Sequence, residues 1–254
     1  RRGYRLLLLT SGLRQILSKS ISRRFQRRSG RLMLRKRGAL LSALLMNLSK
    51  WVSGNTSEPC ECIEALHGDL EQFERDQVLT QFAGKSASIL IATDVAARGL
   101  DVKELAAVIN FELSRDPEVH IHRIGRTARA GSKGLAVSLF TASDKRHLQA
   151  VEEYQCSAAK IVSTTVLTDP TNFKLYPPMV TLFVNGGRKE KVRAGDLLGA
   201  LTASGEITGA QIGKITLFDK IAYVAVEQQV AKLALTILAD GKIKGRKFRV
   251  RRLR

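Results

Sequence analysis

The chain has 254 residues, 44% of them hydrophobic, and a formal net charge of +19 from 42 Lys and Arg against 23 Asp and Glu. This length is enough for one large or two small globular domains. No run of about 18 consecutive apolar residues occurs, which excludes a membrane-spanning helix. Three cysteines, an odd number, argue against a secreted disulfide framework. The excess of positive charge favours a polyanionic partner, and nucleic acid fits best.

The charge is unevenly distributed along the chain. Residues 1–60 carry a net charge of +13, residues 61–185 carry −3, and residues 186–254 carry +9. Such a division suggests pieces with different roles. Together with the element pattern below, it predicts a basic unassigned segment 1–60, an α/β domain 61–155, a linker 156–178 and a second domain 179–254.

The first 57 residues contain no Asp, Glu or Pro and are rich in Arg, Leu and Ser. Ala39–Leu48 has the pattern of an amphipathic helix, but the rest lacks a sustained period of 2 or 3.6 residues. Three interpretations stay open: a basic RNA-binding arm, an organellar transit peptide, or a stretch that is not a native fold element.

The next domain has the pattern of strands alternating with helices. Short apolar runs of this kind are typical of strands buried in a parallel sheet. The predicted helices are Glu71–Ala83, one that begins near Pro117, and Ala142–Tyr154, and the predicted strands are Ala87–Ala92, Ala106–Phe111 and Leu135–Phe140. This alternation predicts an α/β layer with a parallel sheet.

A linker with three prolines, Asp169–Pro178, separates that domain from a compact β-α-β-β-α-β pattern. This order is the split βαβ arrangement, an α+β fold with one four-stranded sheet and two helices on one face. The predicted elements are Val180–Val184, Gly195–Leu201, Gly213–Phe218, Ile221–Val226, Val230–Leu238 and Phe248–Leu253.

Two strings in the α/β domain carry the chemistry. Ile91–Asp101 (IATDVAARGLD) leaves the end of a predicted strand, where open α/β sheets bind ligands. In His122–Gly131 (HRIGRTARAG), three arginines spaced by three residues would lie near one helical face without nearby acids, and would suit a polyanion such as a triphosphate. A solvated basic face is the alternative. Gly84-Lys85-Ser86 ends like a phosphate loop, but a helix precedes it and a strand follows, the reverse of what such a loop needs.

These strings resemble motifs V and VI of the DEAD-box ATP-dependent RNA helicases, and Gln72-x-x-Arg75 resembles the motif IVa region. The resemblance covers residues 63–155 and implies the second, C-terminal RecA-like lobe of such an enzyme, present here in part. It implies ATP with Mg²⁺ as cofactor, with the metal held by residues outside this chain. His120 and His122 have no further ligands in the sequence nearby, so no metal site is predicted.

The resemblance also implies individual roles. Arg126 and Arg129 would be arginine fingers that neutralise charge on the γ-phosphate. His122 would link the nucleotide site to the other lobe. The remaining implied contacts are those of Asp101 with the ribose, of Gly99 within the ATP site, and of Thr93, Gln72 and Arg75 with RNA phosphates.

The second domain resembles the RNA-binding domain of the DbpA subfamily of bacterial DEAD-box proteins, on strings such as Val184–Lys189 and Gly241–Arg246. That resemblance implies large-subunit ribosomal RNA as partner and a role in ribosome biogenesis. Phe183 and Tyr223 lie where RNA-recognition motifs place stacking aromatics, although both also suit ordinary sheet positions. A basic run favours RNA binding; it contains Lys242, Lys244, Arg246, Lys247, Arg249 and Arg251.

The family's ATP-binding first lobe has no counterpart in the sequence, and neither has motif IV, expected near residues 30–50. We therefore hypothesise a frameshifted stretch there, and we expect the printed chain alone to lack ATPase activity and to need that lobe in cis. The predicted function is that of a cytoplasmic RNA helicase. The alternative is a non-enzymatic RNA-binding protein with a vestigial helicase lobe.

Overall fold

The computed structural model describes residues 63–94, 105–127, 134–163 and 176–253, together with the backbone of Leu6–Leu9. Within these ranges no helix is both long and apolar enough to cross a membrane. The chain divides into two compact units. One contains residues 4–70 and 89–175, and the other contains residues 71–88 and 176–254.

The first unit is built on a five-stranded sheet in which every neighbouring pair of strands is parallel. Its strand order is β2-β3-β1-β4-β5. The strands are β1 Leu6–Leu9, β2 Ile63–Leu66, β3 Ile89–Ala92, β4 Ala107–Asn110 and β5 Leu135–Ser138. The predicted parallel α/β sheet is confirmed, and all four residues of β3 are buried, as its apolar run requires.

The central strand β1 comes from the basic N-terminal segment, where no strand was predicted. Its backbone pairs with β3 on one side, Leu6 with Ile89, and with β4 on the other, Leu6 with Ala107. The sequence pattern did not reveal this strand because four consecutive leucines have no period-2 alternation and leucine is not β-branched. The rest of residues 1–60, with the predicted helix Ala39–Leu48, lies outside the described residues.

Two helices of this unit show how the local sequence and backbone set a helix end. Helix α2, Pro117–Ile124, starts with Pro at its first position, and the Asp116 carboxylate accepts from the Glu118 N–H at 2.9 Å. Helix α3, Lys145–Gln155, ends at Cys156, whose φ of 52° is left-handed. Both helices were predicted.

The second unit holds a four-stranded antiparallel sheet of order β7-β8-β6-β9. The strands are β6 Met179–Val184, β7 Ile212–Leu217, β8 Ala222–Glu227 and β9 Val250–Arg252, and the helices are α4 Ala194–Thr202 and α5 Ala231–Asp240. This is the predicted split βαβ order. Residues 71–88, with helix α1 Gln72–Ala83, group with this unit.

Alternate residues of the central strands form the core of this unit. Val180, Leu182 and Val184 of β6 are buried toward the helices. They pack with Leu197 and Leu201 of α4, which are fully buried. The opposite face of the sheet therefore carries Thr181 and Phe183 of β6, with Tyr223 beside them on β8.

Candidate functional site

Helix α2 carries the first part of the arginine-rich string, and the helix ends before its second arginine. Gly125 closes the helix, because its N–H donates to the Ile121 carbonyl at 2.9 Å. Arg126 follows in a turn, where its N–H donates to the Arg123 carbonyl at 3.2 Å. The expected common helical face of three arginines is therefore wrong for Arg126, and Arg129 lies outside the described residues.

The first arginine of the string, Arg123, forms a buried ion pair. Its Nε and a terminal nitrogen each donate to an oxygen of Asp94 at 2.6 Å, and its other terminal nitrogen donates to the Glu112 carbonyl at 2.9 Å. The side chain of Arg123 is 4% exposed and that of Asp94 is 31% exposed. The expectation of no nearby acids is thus wrong, because Asp94, 29 residues earlier, neutralises Arg123.

The ion pair joins the two predicted strings. Asp94 follows the buried strand β3, and Arg123 lies near the end of α2. A bidentate guanidinium–carboxylate pair fixes both distance and orientation. A second anchor lies four residues on, where the Thr127 hydroxyl donates to the Leu105 carbonyl. Arg126, half-buried between these anchors, is held in a defined turn.

The two histidines of α2 have different environments. His122 is exposed, whereas His120 is 5% exposed. Burial, and secondarily the positive charge of Arg123, lowers the pKa of His120 below its ordinary value. Of the two, His122 is therefore the one accessible to a ligand. No group of three His, Cys, Asp or Glu side chains suited to a metal ion occurs among the described residues.

The predicted RNA-phosphate residues lie on two elements. Thr93, at the end of β3, is half-buried, and its N–H donates to the Leu66 carbonyl at 3.2 Å. Gln72 and Arg75 lie in the first turn of α1, where the exposed Gln72 amide donates to Asp76 Oδ1 at 2.8 Å. Gly99 and Asp101 lie outside the described residues.

Three side chains meet on the sheet face opposite the helices of the second unit. Phe183 pairs in register with Tyr223 on one side and with Arg251 on the other. The two rings meet edge to face with centroids 5.7 Å apart, and the Arg251 guanidinium lies 4.6 Å from the centre of the Phe183 ring. The structure therefore brings together three of the predicted RNA-binding residues.

Residues 84–88 cover part of this aromatic face. Ser86 Oγ lies 2.6 Å from Thr181 Oγ1, and a Cβ added to Gly84 would lie 3.2 Å from the Cβ of Ala225. Tyr223 is 0% exposed, and burial raises the pKa of its hydroxyl to about 12. Phe218 also packs against the Tyr223 ring with centroids 5.8 Å apart, so a base can reach this ring only if covering groups move away. Phe183 is half-buried.

The predicted basic run is accessible along its length. All of its members, Lys242, Lys244, Arg246, Lys247, Arg249 and Arg251, are exposed. Three further exposed cations lie in the loop after β6 and were not predicted as RNA contacts: Arg188, Lys189 and Lys191. The string Gly186–Lys191 is visibly basic in the sequence. The sequence alone does not show that this loop lies beside the basic run.

Comparison with known proteins finds two family matches, the first of which includes residues 71–88 that group with the second unit here. Residues 47–131 match the family of helicase conserved C-terminal domains, and residues 181–252 match the DbpA RNA binding domain. The chain resembles the C-terminal region of DbpA-type DEAD-box RNA helicases. The resemblance stated from the sequence is thus confirmed, and the helicase C-terminal domain includes the Asp94–Arg123 pair.

Curated relatives agree with this assignment. The chain is 50% identical over 190 residues to the ATP-dependent RNA helicase DbpA of Escherichia coli, an alignment that covers 75% of this chain and 41% of that protein. The DbpA of Bacillus subtilis is 33% identical over 212 residues, which cover 76% of the chain and 44% of that protein. The chain thus spans less than half the length of these relatives. A solved DEAD box protein of Methanococcus jannaschii is 31% identical, with a TM-score of 0.44, over 63% of this chain and 35% of that one.

Proposed function

We propose that this chain is the C-terminal region of an ATP-dependent RNA helicase that remodels large-subunit ribosomal RNA in the cytoplasm during ribosome assembly. The observation that carries the helicase assignment is the Asp94–Arg123 ion pair, which joins the two strings through residues 29 positions apart. Asp94 neutralises Arg123, so we assign Arg123 a structural role and Arg126 and Arg129 the contacts with a nucleotide. The resemblance to two DbpA helicases supports the same assignment.

The nucleotide half-site depends on the turn after α2. Arg126 is half-buried beside the anchored Arg123, and His122 is exposed on the last turn of the helix. Guanidinium groups at this position suit the charge of a γ-phosphate, so Arg126 and Arg129 are the proposed arginine fingers. Asp101 and Gly99 complete the proposed nucleotide contacts. His122 is proposed to contact the other lobe.

The described residues fit only part of an ATP–Mg²⁺ site. They offer arginines for phosphate, but no cluster of three potential metal ligands. When bound, the metal would neutralise phosphate charge, and we assign its ligands to the first lobe. The contribution of this chain is then to hold Arg126 in place and to bind RNA.

The proposed RNA contacts come from both units. Thr93, Gln72 and Arg75 would hold phosphates, and the exposed basic run from Lys242 to Arg251 would hold the target RNA. Cations that neutralise phosphates release bound counterions, so this binding should weaken steeply with salt. Stacking on Phe183 and Tyr223 is also proposed, with the condition that the groups covering the Tyr223 ring move away.

The proposal is tested by measuring phosphate release from ATP, for the chain alone and for the chain fused to a first lobe. The chain alone should not hydrolyse ATP, and a fusion to a DbpA first lobe should hydrolyse it when RNA is added. In the fusion, Arg126→Ala should abolish turnover while RNA binding by residues 179–254 persists. A fusion that binds RNA but never hydrolyses ATP would favour the non-enzymatic alternative, and RNA-stimulated hydrolysis by the chain alone would refute the half-site.

A further inference from the structure

The turn that carries Arg126 is tied to the end of helix α2 by backbone hydrogen bonds. The Arg126 N–H donates to the Arg123 carbonyl at 3.2 Å, and the Thr127 N–H donates to the Ile124 carbonyl at 3.1 Å. These bonds set the course of the turn relative to the helix. They do not attach the turn to the sheet, so a further contact is needed to hold Arg126 against the rest of the domain.

Thr127 supplies that contact. Its hydroxyl donates to the carbonyl of Leu105, which lies two residues before strand β4, and the two residues also form an isolated parallel bridge. Thr127 is 5% exposed and Leu105 is 3% exposed. Water therefore has little access to this bond, and a carbonyl that loses a buried donor loses a partner that water does not easily replace.

The two strings are thus joined at two points. Arg123 binds Asp94, which lies in the first string, and Thr127 binds Leu105, which lies four residues after that string ends. Arg123 and Thr127 are four residues apart, so their Cα atoms lie within about 14 Å of each other. Arg126 lies inside this interval, and its backbone is therefore held from both sides.

The Thr127 hydroxyl can act on the nucleotide site only through Arg126. It is already donated to a backbone carbonyl, and Thr127 is too buried to contact a ligand. The Arg126 side chain is half-buried, so the position of its backbone largely sets where its guanidinium can reach. A charged group that stabilises a transition state must be aimed closely, and a displacement of about 1 Å can cost on the order of 100-fold in rate.

We propose that Thr127 is a positioning residue for the nucleotide half-site, and that its hydroxyl bond to Leu105 aims the Arg126 guanidinium. This inference rests on the proposed function of Arg126 and adds the residue that holds it in place. The contact depends on the side chain of residue 127 alone, because Leu105 takes part through its backbone. Thr127→Val removes the donor and keeps the branched shape, whereas Thr127→Ser keeps the donor.

Hydrogen exchange of the chain alone, without nucleotide, tests whether the hydroxyl holds the turn. In Thr127→Val the amides of residues 126 and 127 should exchange about tenfold faster than in the unaltered chain, because the turn opens more often. In Thr127→Ser they should exchange at nearly the unaltered rate. The amides of the buried strand β3 report on the fold of the domain and should change much less. Unchanged exchange at residues 126 and 127 in Thr127→Val would overturn the inference.

RNA-stimulated ATP hydrolysis by the chain fused to a DbpA first lobe tests the effect on the reaction. Thr127→Val should lower kcat about 10- to 100-fold. It should change KM for ATP by less than about threefold, because a transition-state contact is lost while ground-state binding stays. Thr127→Ser should restore kcat to within about threefold of the unaltered value. The matched control is Thr141→Val, which removes a hydroxyl that donates to Asp144 at 2.7 Å in the same unit, and it should leave both constants unchanged.

The outcomes separate this inference from the proposed function. A fusion of the unaltered chain that binds RNA but does not hydrolyse ATP would refute the proposed function, and the exchange comparison would then decide whether Thr127 holds the turn. An active fusion in which Thr127→Val keeps the unaltered kcat would overturn only the role of Thr127. Equal losses in Thr127→Val and Thr127→Ser would also overturn it, since the hydroxyl would then not be responsible. If Thr127→Val fails to fold, Thr127→Ala gives the same comparison, because it removes the donor without placing a methyl group against the Leu105 carbonyl.

Discussion

The Asp94→Asn substitution is expected to destabilise the helicase C-terminal domain strongly. It leaves the guanidinium of Arg123, 4% exposed, without its counter-charge. Removing one partner of a buried pair costs about 3–5 kcal/mol. Asp94 is 31% exposed, so water offsets part of the loss, and we expect a cost of about 3 kcal/mol, the low end of that range.

Urea unfolding followed by circular dichroism measures this cost. The midpoint of the helicase-domain transition should fall while its slope stays constant, which marks a change in stability alone. The matched control is Asp219→Asn, because the Lys189–Asp219 pair is 3.7 Å long with both side chains more than 60% exposed. An exposed pair of this kind contributes about 0–1 kcal/mol.

A double-mutant cycle decides whether the pair itself is responsible. The cycle combines Asp94→Asn with Arg123→Gln, which replaces the ions by two amides. The double variant should be more stable than the sum of the single effects predicts, by at least about 1 kcal/mol, because neither ion is then left alone. Additive effects, or a cost of Asp94→Asn no larger than that of Asp219→Asn, would refute a buried ion pair.

Three further predictions concern other buried groups. The pKa of His120 is lowered in the fold, so its unfolded form binds the proton more readily, and stability should be lost as pH falls below about 6.5; thermal melting between pH 5 and 8 should show this loss, and His120→Leu should reduce it. The pKa of Tyr223 is raised to about 12, so stability should fall between pH 10 and 12, by up to about 3 kcal/mol; Tyr223→Phe should remove that part of the fall in urea unfolding. Gly187→Ala should destabilise the DbpA RNA-binding domain by about 1–3 kcal/mol because its Cβ meets the Phe218 carbonyl, whereas Gly199→Ala in open space on α4 should be neutral or stabilising in the same melts.

The elements that sequence reasoning predicted are those whose signal is local. Strand β3 is an apolar run because a parallel strand is buried on both faces, and α2 begins at a Pro preceded by a capping Asp. The order of the second domain followed from alternation, since Leu182 faces the core and Phe183 does not. Each of these depends on residues within a few positions of one another.

The elements that were not predicted depend on distant residues. Strand β1 lies between β3 and β4, more than 80 residues away in sequence, and nothing near Leu6 specifies those neighbours. The partner of Arg123 is Asp94, 29 residues earlier, so the sequence around Arg123 does not indicate this ion pair. Lys191 and Lys244 likewise lie together although they are 53 residues apart in sequence.

Three arginines of this chain have different environments that the sequence charge does not distinguish. The contacts and burial of each side chain decide its role. Arg123 is neutralised by Asp94 and stabilises the helicase domain, so it contributes little field to a ligand. Arg251 lies over the Phe183 ring, where its charge is directed at an aromatic face. Arg188 is exposed, and its backbone N–H donates to the Phe218 carbonyl, so its guanidinium can reach a phosphate without rearrangement. A net charge therefore predicts the class of partner, while the surface that meets the partner follows only from knowing which cations the fold has already paired.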